Sequence, residues 1–282
     1  MILDRKEIIL SSAQLKMLKS AWGDESIDNS KVEKITYLSD GLKVKGFIAQ
    51  PLDRPDNKKL PCVIWNRGGF QNQGAIDDFT GRGLFGQIAS WGYAVFASQY
   101  RGNAGGEGKD EFGGSDVNDI LNLIPLADEV PFADKTLWAM EGWSRGGMMT
   151  YLTLLRNSSF KAAIVSGGIA NLRCNADESR FMRMLYEASF GKYNSEDFEK
   201  LCFDRSAVNF ASKLPKNVPI LMLHAALDER VSPKDSLELS YKFLENNIPF
   251  RLVLLEGGDH YLRVHKKEVD RMRKQWLQKF LH

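Results

Sequence analysis

Short apolar runs alternate along this chain with longer stretches whose apolar residues recur at three- and four-residue steps. The runs Cys62–Trp65, Tyr93–Ser98, Thr136–Glu141, Ala162–Val165, Pro219–His224 and Arg251–Leu255 have the length and make-up of buried strands. Helical spacing marks Phe79–Trp91, the stretch from Ser115 with Ile120, Leu121, Ile124 and Leu126, then Met148–Leu155, Pro233 to Asn247 and Val264–Phe280. Ahead of these, Val32–Leu38 and Leu42–Gln50 flank Ser39-Asp40-Gly41. An Asp-Gly turn between alternating segments predicts a hairpin. Ile8, Ile9, Ala13, Leu15, Leu18 and Trp22 predict a leading helix from Asp4 to Trp22, followed by a polar linker over Gly23–Lys31. Pro51–Leu60 reads as a polar connection. Residues 171–212 are rich in aromatic and charged residues, with short helices expected over Arg180–Phe190 and Ser195–Phe203. The pattern predicts an α/β fold, a mainly parallel sheet of about eight strands with helices on both faces. The organisation expected is an N-terminal helix and linker over 1–31, then one α/β domain over 32–282 with a helical insertion at 171–212.

Composition narrows the class without changing this picture. A chain of 282 residues, 43% of them hydrophobic, can bury one large core. A net charge of +2 gives no reason to expect nucleic acid or a polybasic membrane contact. No apolar run approaches the ~20 residues that span a bilayer, and Met1–Leu18 lacks the apolar core of a signal peptide. Cys62, Cys174 and Cys202 are odd in number, far apart and without metal-ligand spacing. A reduced, cytoplasmic protein is the expectation.

The sharpest local signal is Gly142-Trp143-Ser144-Arg145-Gly146-Gly147. It stands between a strand and a helix, with a serine at the apex. G-x-S-x-G in that setting is a nucleophile elbow. Its glycines permit the tight turn, and the helix start offers free N–H groups and a positive dipole end. Ser144 is the candidate nucleophile. Ser166, before a second Gly-Gly pair, is the alternative, but no long helix follows it.

Ligands of such sheets bind at the carboxyl ends of the strands. Two further loops lie there, Leu227-Asp228-Glu229-Arg230-Val231 and Gly257-Gly258-Asp259-His260-Tyr261. The order serine, acid, histidine is that of an α/β-hydrolase. A serine hydroxyl is a poor nucleophile at neutral pH. His260 would take its proton and pass it to the leaving group, while Asp228 would hold the histidine tautomer and stabilise the imidazolium. Glu229 is a close rival of Asp228. Of the other histidines, His224 closes an apolar strand and suits a buried structural role. His265 and His282 are expected bystanders. Two donors are needed for the oxyanion. The backbone N–H of Arg145 supplies one, and the loop Arg67-Gly68-Gly69-Phe70 is placed to supply the other.

The segments GWSRGGMMTYL, HAALDERVSP and GGDHYL, with YRGNAGGEG and GGSDVNDIL upstream, resemble the catalytic domain of the prolyl oligopeptidase family of serine peptidases. The resemblance runs over roughly residues 32 to 281. It implies an α/β-hydrolase fold, with Ser144, Asp228 and His260 on the family's catalytic triad and the Arg67–Phe70 loop at the oxyanion hole. Family members often have a tyrosine donor just before that Gly-Gly pair, where this chain has Arg67. Many also carry an N-terminal β-propeller. Only residues 1–31 precede the hydrolase region here, so access is expected to be set by the 171–212 insertion and the leading helix.

The resulting expectation is a serine hydrolase acting on a small peptide or acyl-peptide through an acyl-enzyme. Carboxylesterase action on small esters is the alternative, and a non-catalytic binding protein of the same fold the third reading. Neither a metal nor an organic cofactor is called for, because an activated serine supplies the nucleophile. A homo-oligomer is compatible with the chain. Arg67, Phe70 and Trp143 are candidates for substrate contact. For Arg67 and Arg145 two roles stand open. At least one holds an anionic part of the substrate, or both pair with acids such as Asp77, Asp78 or Glu107 and order the loops.

Overall fold

A computed structural model describes residues 1–54 and 58–282. In chain order these form β1 (Ile2–Glu7), α1 (Ser12–Trp22), α2 (Glu25–Asp28), β2 (Ser30–Ser39), β3 (Leu42–Pro51), β4 (Leu60–Asn66), α3 (Asp78–Ser90), β5 (Ala94–Ser98), α4 (Val117–Leu121), β6 (Ala133–Trp143) and α5 (Arg145–Arg156). They continue as β7 (Ala162–Ser166), α6 (Leu172–Glu178), α7 (Arg180–Phe190), α8 (Glu196–Arg205), α9 (Ala207–Phe210), β8 (Ile220–Ala225), α10 (Pro233–Glu245), β9 (Phe250–Leu255) and α11 (Lys266–Leu281). One sheet takes the order β1-β2-β3-β5-β4-β6-β7-β8-β9. The first strands are antiparallel, and every pairing from β5–β4 to β8–β9 is parallel.

The central strands are apolar on both faces because helices cover both. In β4, Cys62 and Ile64 enter one core while Val63 and Trp65 enter the other, as period-two side chains must. The first core receives α4, α5, the helices between β7 and β8, and α10. The second receives α3 and α11. Among the described residues no helix is long and apolar enough to cross a membrane.

The hairpin expected around Asp40-Gly41 is present, in continuous register from Ser30↔Pro51 to Ser39↔Leu42. The amino terminus departs from expectation. Residues 2–7 are an edge strand paired with β2, so helix begins only at Ser12, where Ser11 and Gln14 form a capping box. Within 1–31, residues 2–7 thus join the sheet, α1 supplies the expected helix over a shorter span, and α2 stands in the stretch read as a linker. That edge strand raises the described count to nine. The polar connection read over Pro51–Leu60 falls in part on residues 55–57, outside the described residues. Between β7 and β8 the chain forms α6 to α9, two helices more than the sequence pattern indicated.

Candidate active site

The elbow is built by close approach of backbone segments. A Cβ on Gly146 would sit 1.9 Å from the Asn66 carbonyl oxygen of β4, and one on Gly142 would sit 2.1 Å from the Gly146 carbonyl oxygen. No other residue fits either position, so β6 can turn directly into α5. At the apex Ser144 takes φ 58° and ψ −122°, a region costly for a side chain. The turn is tied down from three sides. Ser144 N donates to the Ser166 carbonyl at 2.9 Å, and its own carbonyl accepts from Gly147 N at 2.9 Å and Ile169 N at 3.3 Å. The Ser144 side chain caps nothing in α5 and is half-buried. Its hydroxyl is thus left for other work.

Asp228, after β8, and His260, after β9, meet in a buried contact. His260 Nδ1 lies 2.6 Å from Asp228 Oδ2. The other carboxylate oxygen accepts from the Arg230 and Val231 amides at 2.9 and 3.0 Å. His224 Nε2 stands 3.4 Å from Oδ2. Burial pushes the Asp228 carboxyl up, but the hydrogen bonds of His224, His260 and Val231 prevail and hold it well below the usual carboxylate range. His224 itself is fully buried, with Nδ1 2.7 Å from Ser236 Oγ and Nε2 3.0 Å from the Val231 carbonyl. It is the structural histidine that its place at the end of a strand indicated, and it also backs the Asp228 loop. His265 contacts the Glu256 carbonyl at 2.8 Å, outside this group. Glu229 is exposed.

Trp143 holds the histidine loop from the elbow side. Its Nε1 donates to the His260 carbonyl at 3.1 Å, and its ring stacks on the imidazole at 5.3 Å and 30°. A residue considered for substrate contact thus gives one face to His260. Phe70 is half-buried against Phe112, with centroids 5.8 Å apart.

The two arginines resolve in favour of loop ordering, through acids other than those expected. Arg67 is 1% exposed and Arg145 is 1% exposed. Arg67 donates to the carbonyls of Gln99, Gly68 and Gln71. Arg145 donates to both Asp110 oxygens at 2.8 and 2.7 Å, to Asp116, and to the Gly69 carbonyl at 3.2 Å. Both guanidiniums also lie over Tyr100. Burial and the neighbouring Arg145 pull the Arg67 guanidinium down to about 10. The expectation that Arg67 touches substrate is corrected on this ground: its charge is spent inside the protein. Asp77 instead caps α3, Asp78 pairs with Lys34, and Glu107 accepts from the Lys43 amide. Asp110 and Asp116 were missed as partners. The available signal was two acids in a glycine-rich loop whose chain reaches the site beside two arginines.

These contacts orient the Arg67–Phe70 loop. With the Gly68 and Gly69 carbonyls drawn to guanidiniums, the following amides of Gly69 and Phe70 face the opposite way, since a trans peptide sets C=O and N–H antiparallel. The loop reaches Ser144: a Cβ on Gly68 would be 3.1 Å from Ser144 Cβ and 3.8 Å from its Oγ.

A parallel-centred sheet carrying a strained serine after β6 and an acid–histidine pair after β8 and β9 is an α/β-hydrolase. The Prolyl oligopeptidase family model matches residues 84–282, and the chain belongs to that family as a serine-type peptidase. It is 29% identical over 245 residues to the uncharacterized peptidase YtmA of Bacillus subtilis, covering 86% of this chain and 91% of that protein. It is 24% identical to the acylamino-acid-releasing enzyme of Sus scrofa, over 84% of this chain but only 33% of that one. Human dipeptidyl peptidase 8 is 26% identical over 79% of this chain and 25% of its own length. Among solved structures, the Pyrococcus horikoshii acylaminoacyl peptidase superposes with a TM-score of 0.78 at 20% identity, over 91% of this chain and 42% of that one. A puromycin-hydrolyzing peptidase of Mycobacterium tuberculosis gives 0.75 at 22%, over 89% and 39%. At these identities the structural likeness establishes the fold.

Proposed function

We propose that this peptidase cleaves short peptides or acyl-peptides through an acyl-enzyme on Ser144. The Asp228–His260 contact of 2.6 Å, held against the elbow by Trp143, carries the reading. The His260 nitrogen not bonded to Asp228 takes the Ser144 proton as Oγ bonds to the scissile carbonyl carbon. The same proton goes to the departing nitrogen as the C–N bond breaks. Water then repeats the sequence on the ester and frees Ser144. Asp228, held ionised by its hydrogen bonds, stabilises the imidazolium formed at each stage. The Arg145 amide at the first position of α5 and an amide of the Gly68–Phe70 loop receive the oxyanion. Arg67 and Arg145 hold that loop without touching substrate. The names of the acylaminoacyl and dipeptidyl peptidase relatives support a short peptide or acyl-peptide substrate, with α6–α9 limiting access.

Fluorophosphonate labelling and peptide hydrolysis test the reading together. Both are expected to vanish in Ser144→Ala while the far-ultraviolet circular dichroism stays that of the parent. Labelling that persists in Ser144→Ala would move the nucleophile elsewhere, with Ser166 the next residue to replace.

A further inference from the structure

The two edges of the sheet differ in how they are protected. β1 carries four charged residues in six, Asp4, Arg5, Lys6 and Glu7, and charge of this kind keeps an open edge from pairing with another chain. β9 closes the other side of the sheet as Phe250-Arg251-Leu252-Val253-Leu254-Leu255, with one charge in six. Its inner side bonds β8: the Pro249 and Leu255 carbonyls accept from Ile220 N and Ala226 N at 3.0 and 2.8 Å. By alternation the odd-numbered residues face β8, while Phe250, Leu252 and Leu254 turn their N–H and C=O groups outward. Among the described residues nothing bonds these outward groups.

The helix beside this edge carries an exposed apolar stripe. On α10, Leu237, Tyr241 and Leu244 recur at four- and three-residue steps and so share one flank. Tyr241 is 66% exposed and Leu244 64%. Asp235 lies most of the way round the helix from them and bonds the Ala170 and Asn171 amides of the body. The stripe therefore looks away from the body, toward the β9 edge. Phe250 packs on Phe243 of α10 at 5.6 Å, and Leu254, exposed, has the same parity and the same face of β9. Lys234 and Glu245 stand at the two ends of the stripe. Within the chain each makes one surface ion pair, with Glu178 and Lys242.

We propose that β9 and α10 form a two-fold interface with a second copy of this chain. An open strand edge is completed by a strand, and an antiparallel copy of β9 supplies one. An axis through the middle of both elements also sets α10 against itself in reverse, as an isologous contact requires. Leu237 then comes opposite the partner's Leu244, Tyr241 beside the partner's Tyr241, and Lys234 opposite the partner's Glu245. Apolar residues meet apolar residues and each cation meets an anion. This self-complementarity commits the surface to a second copy rather than to another protein. The partner's strands run the opposite way, so the two Ser144 elbows, at carboxyl ends of strands, open at opposite ends of the joined sheet and neither covers the other. The interface therefore stands independently of the peptidase reading.

Sedimentation velocity of the full chain at micromolar concentration is expected to give the mass of a dimer. Tyr241→Lys sets two lysines against each other across the axis and is expected to raise the dimer dissociation constant by about a hundredfold or more. Its circular dichroism is expected to stay that of the parent, because Tyr241 is exposed. Exchange of the Phe250, Leu252 and Leu254 amides is expected to be slow in the parent and fast in Tyr241→Lys. Lys234→Glu and Glu245→Lys each set like charges opposite one another and are expected to weaken self-association by about tenfold. An equimolar mixture of these two variants is expected to dimerise as the parent does, since both unlike pairs return. A monomeric parent overturns the proposal and leaves the edge to solvent or to a strand of another protein. So does a Tyr241→Lys variant that dimerises as tightly as the parent, a parent dimer whose outward β9 amides exchange freely, or a mixture that associates no better than its components. Each of these places the contact elsewhere or denies its two-fold form.

Discussion

Ser144 occupies φ 58° and ψ −122°, and the cost of that geometry separates two substitutions that both remove the proposed nucleophile. Alanine keeps the Cβ and the strain. Glycine relieves a strain of order 1–3 kcal/mol and gives back about 0.5–1 kcal/mol through its freer unfolded chain. Ser144→Gly is therefore expected to be more stable than Ser144→Ala by about 1 kcal/mol, read as a higher urea midpoint at equal slope. A glycine variant equal to or weaker than the alanine variant would show the elbow to be unstrained. The turn at this residue was legible because motif and setting agree: a serine between glycines, between a strand and a helix. The burial of Arg67 and Arg145 was not. Arginine is seldom fully buried unless paired, and their partners Asp110 and Asp116 lie far off in sequence, in a loop without periodicity.

The elements that sequence revealed are those whose burial is written into local pattern. The central parallel strands β4, β5, β7 and β8 read as unbroken apolar runs because both faces are covered, and β2–β3 announced itself through Asp40-Gly41. Ile2–Glu7 gave no such sign. Its side chains are half-buried or exposed, and it is held by backbone pairing with β2, which leaves no mark on hydrophobic spacing. The start of α10 was legible from Ser232-Pro233, yet the weight its Asp235 carries was not. Asp235 Oδ2 accepts from Ala170 N and Asn171 N at 3.2 and 3.1 Å, tying α10 to the start of the helical segment, while Oδ1 is buried without a partner. Burial raises this carboxyl to about 7. The folded state then holds a proton that the unfolded state has released between about pH 4 and 7, so stability falls as pH rises through that window. Asp235→Asn keeps an acceptor for the two amides and removes the titration. Its gain in unfolding free energy over the parent is expected to grow by about 2 kcal/mol from pH 5 to pH 8. A gain independent of pH would mean that Asp235 ionises at its ordinary value.

At the scale of the whole molecule, one buried charge cluster joins segments that the sheet alone does not. Arg145 at the head of α5 grips Asp110 and Asp116 of the glycine-rich loop and the Gly69 carbonyl of the Arg67–Phe70 loop. Phe112 lies under the Arg145 guanidinium and packs against Tyr186 and Phe190 of α7, while its carbonyl accepts from Arg205 of α8. The elbow, the Arg67–Phe70 loop and helices α7 and α8 thus share one anchor. Burial pushes the Asp110 carboxyl up, but Arg145 outweighs it and brings it to about 2. The sign is that of a depressed acid: its stabilisation is present above the ordinary carboxylate value and is lost as pH falls towards about 2. Removing the arginine strands two carboxylates away from water. Arg145→Met is expected to cost about 3–5 kcal/mol, the loss typical of half a buried ion pair. The triple variant with Asp110→Asn and Asp116→Asn should recover part of that, because the two stranded carboxylates are gone and Arg67 keeps its carbonyl acceptors, though it loses the Asp110 charge. Urea unfolding at pH 7 measures both. Peptide turnover should fall in both variants, since neither holds the Gly69 carbonyl. If Arg145→Met unfolds at the parent's midpoint, the cluster is solvated and cannot be the anchor. If the triple variant recovers stability and full turnover together, the Arg67–Phe70 loop is positioned by something other than Arg145.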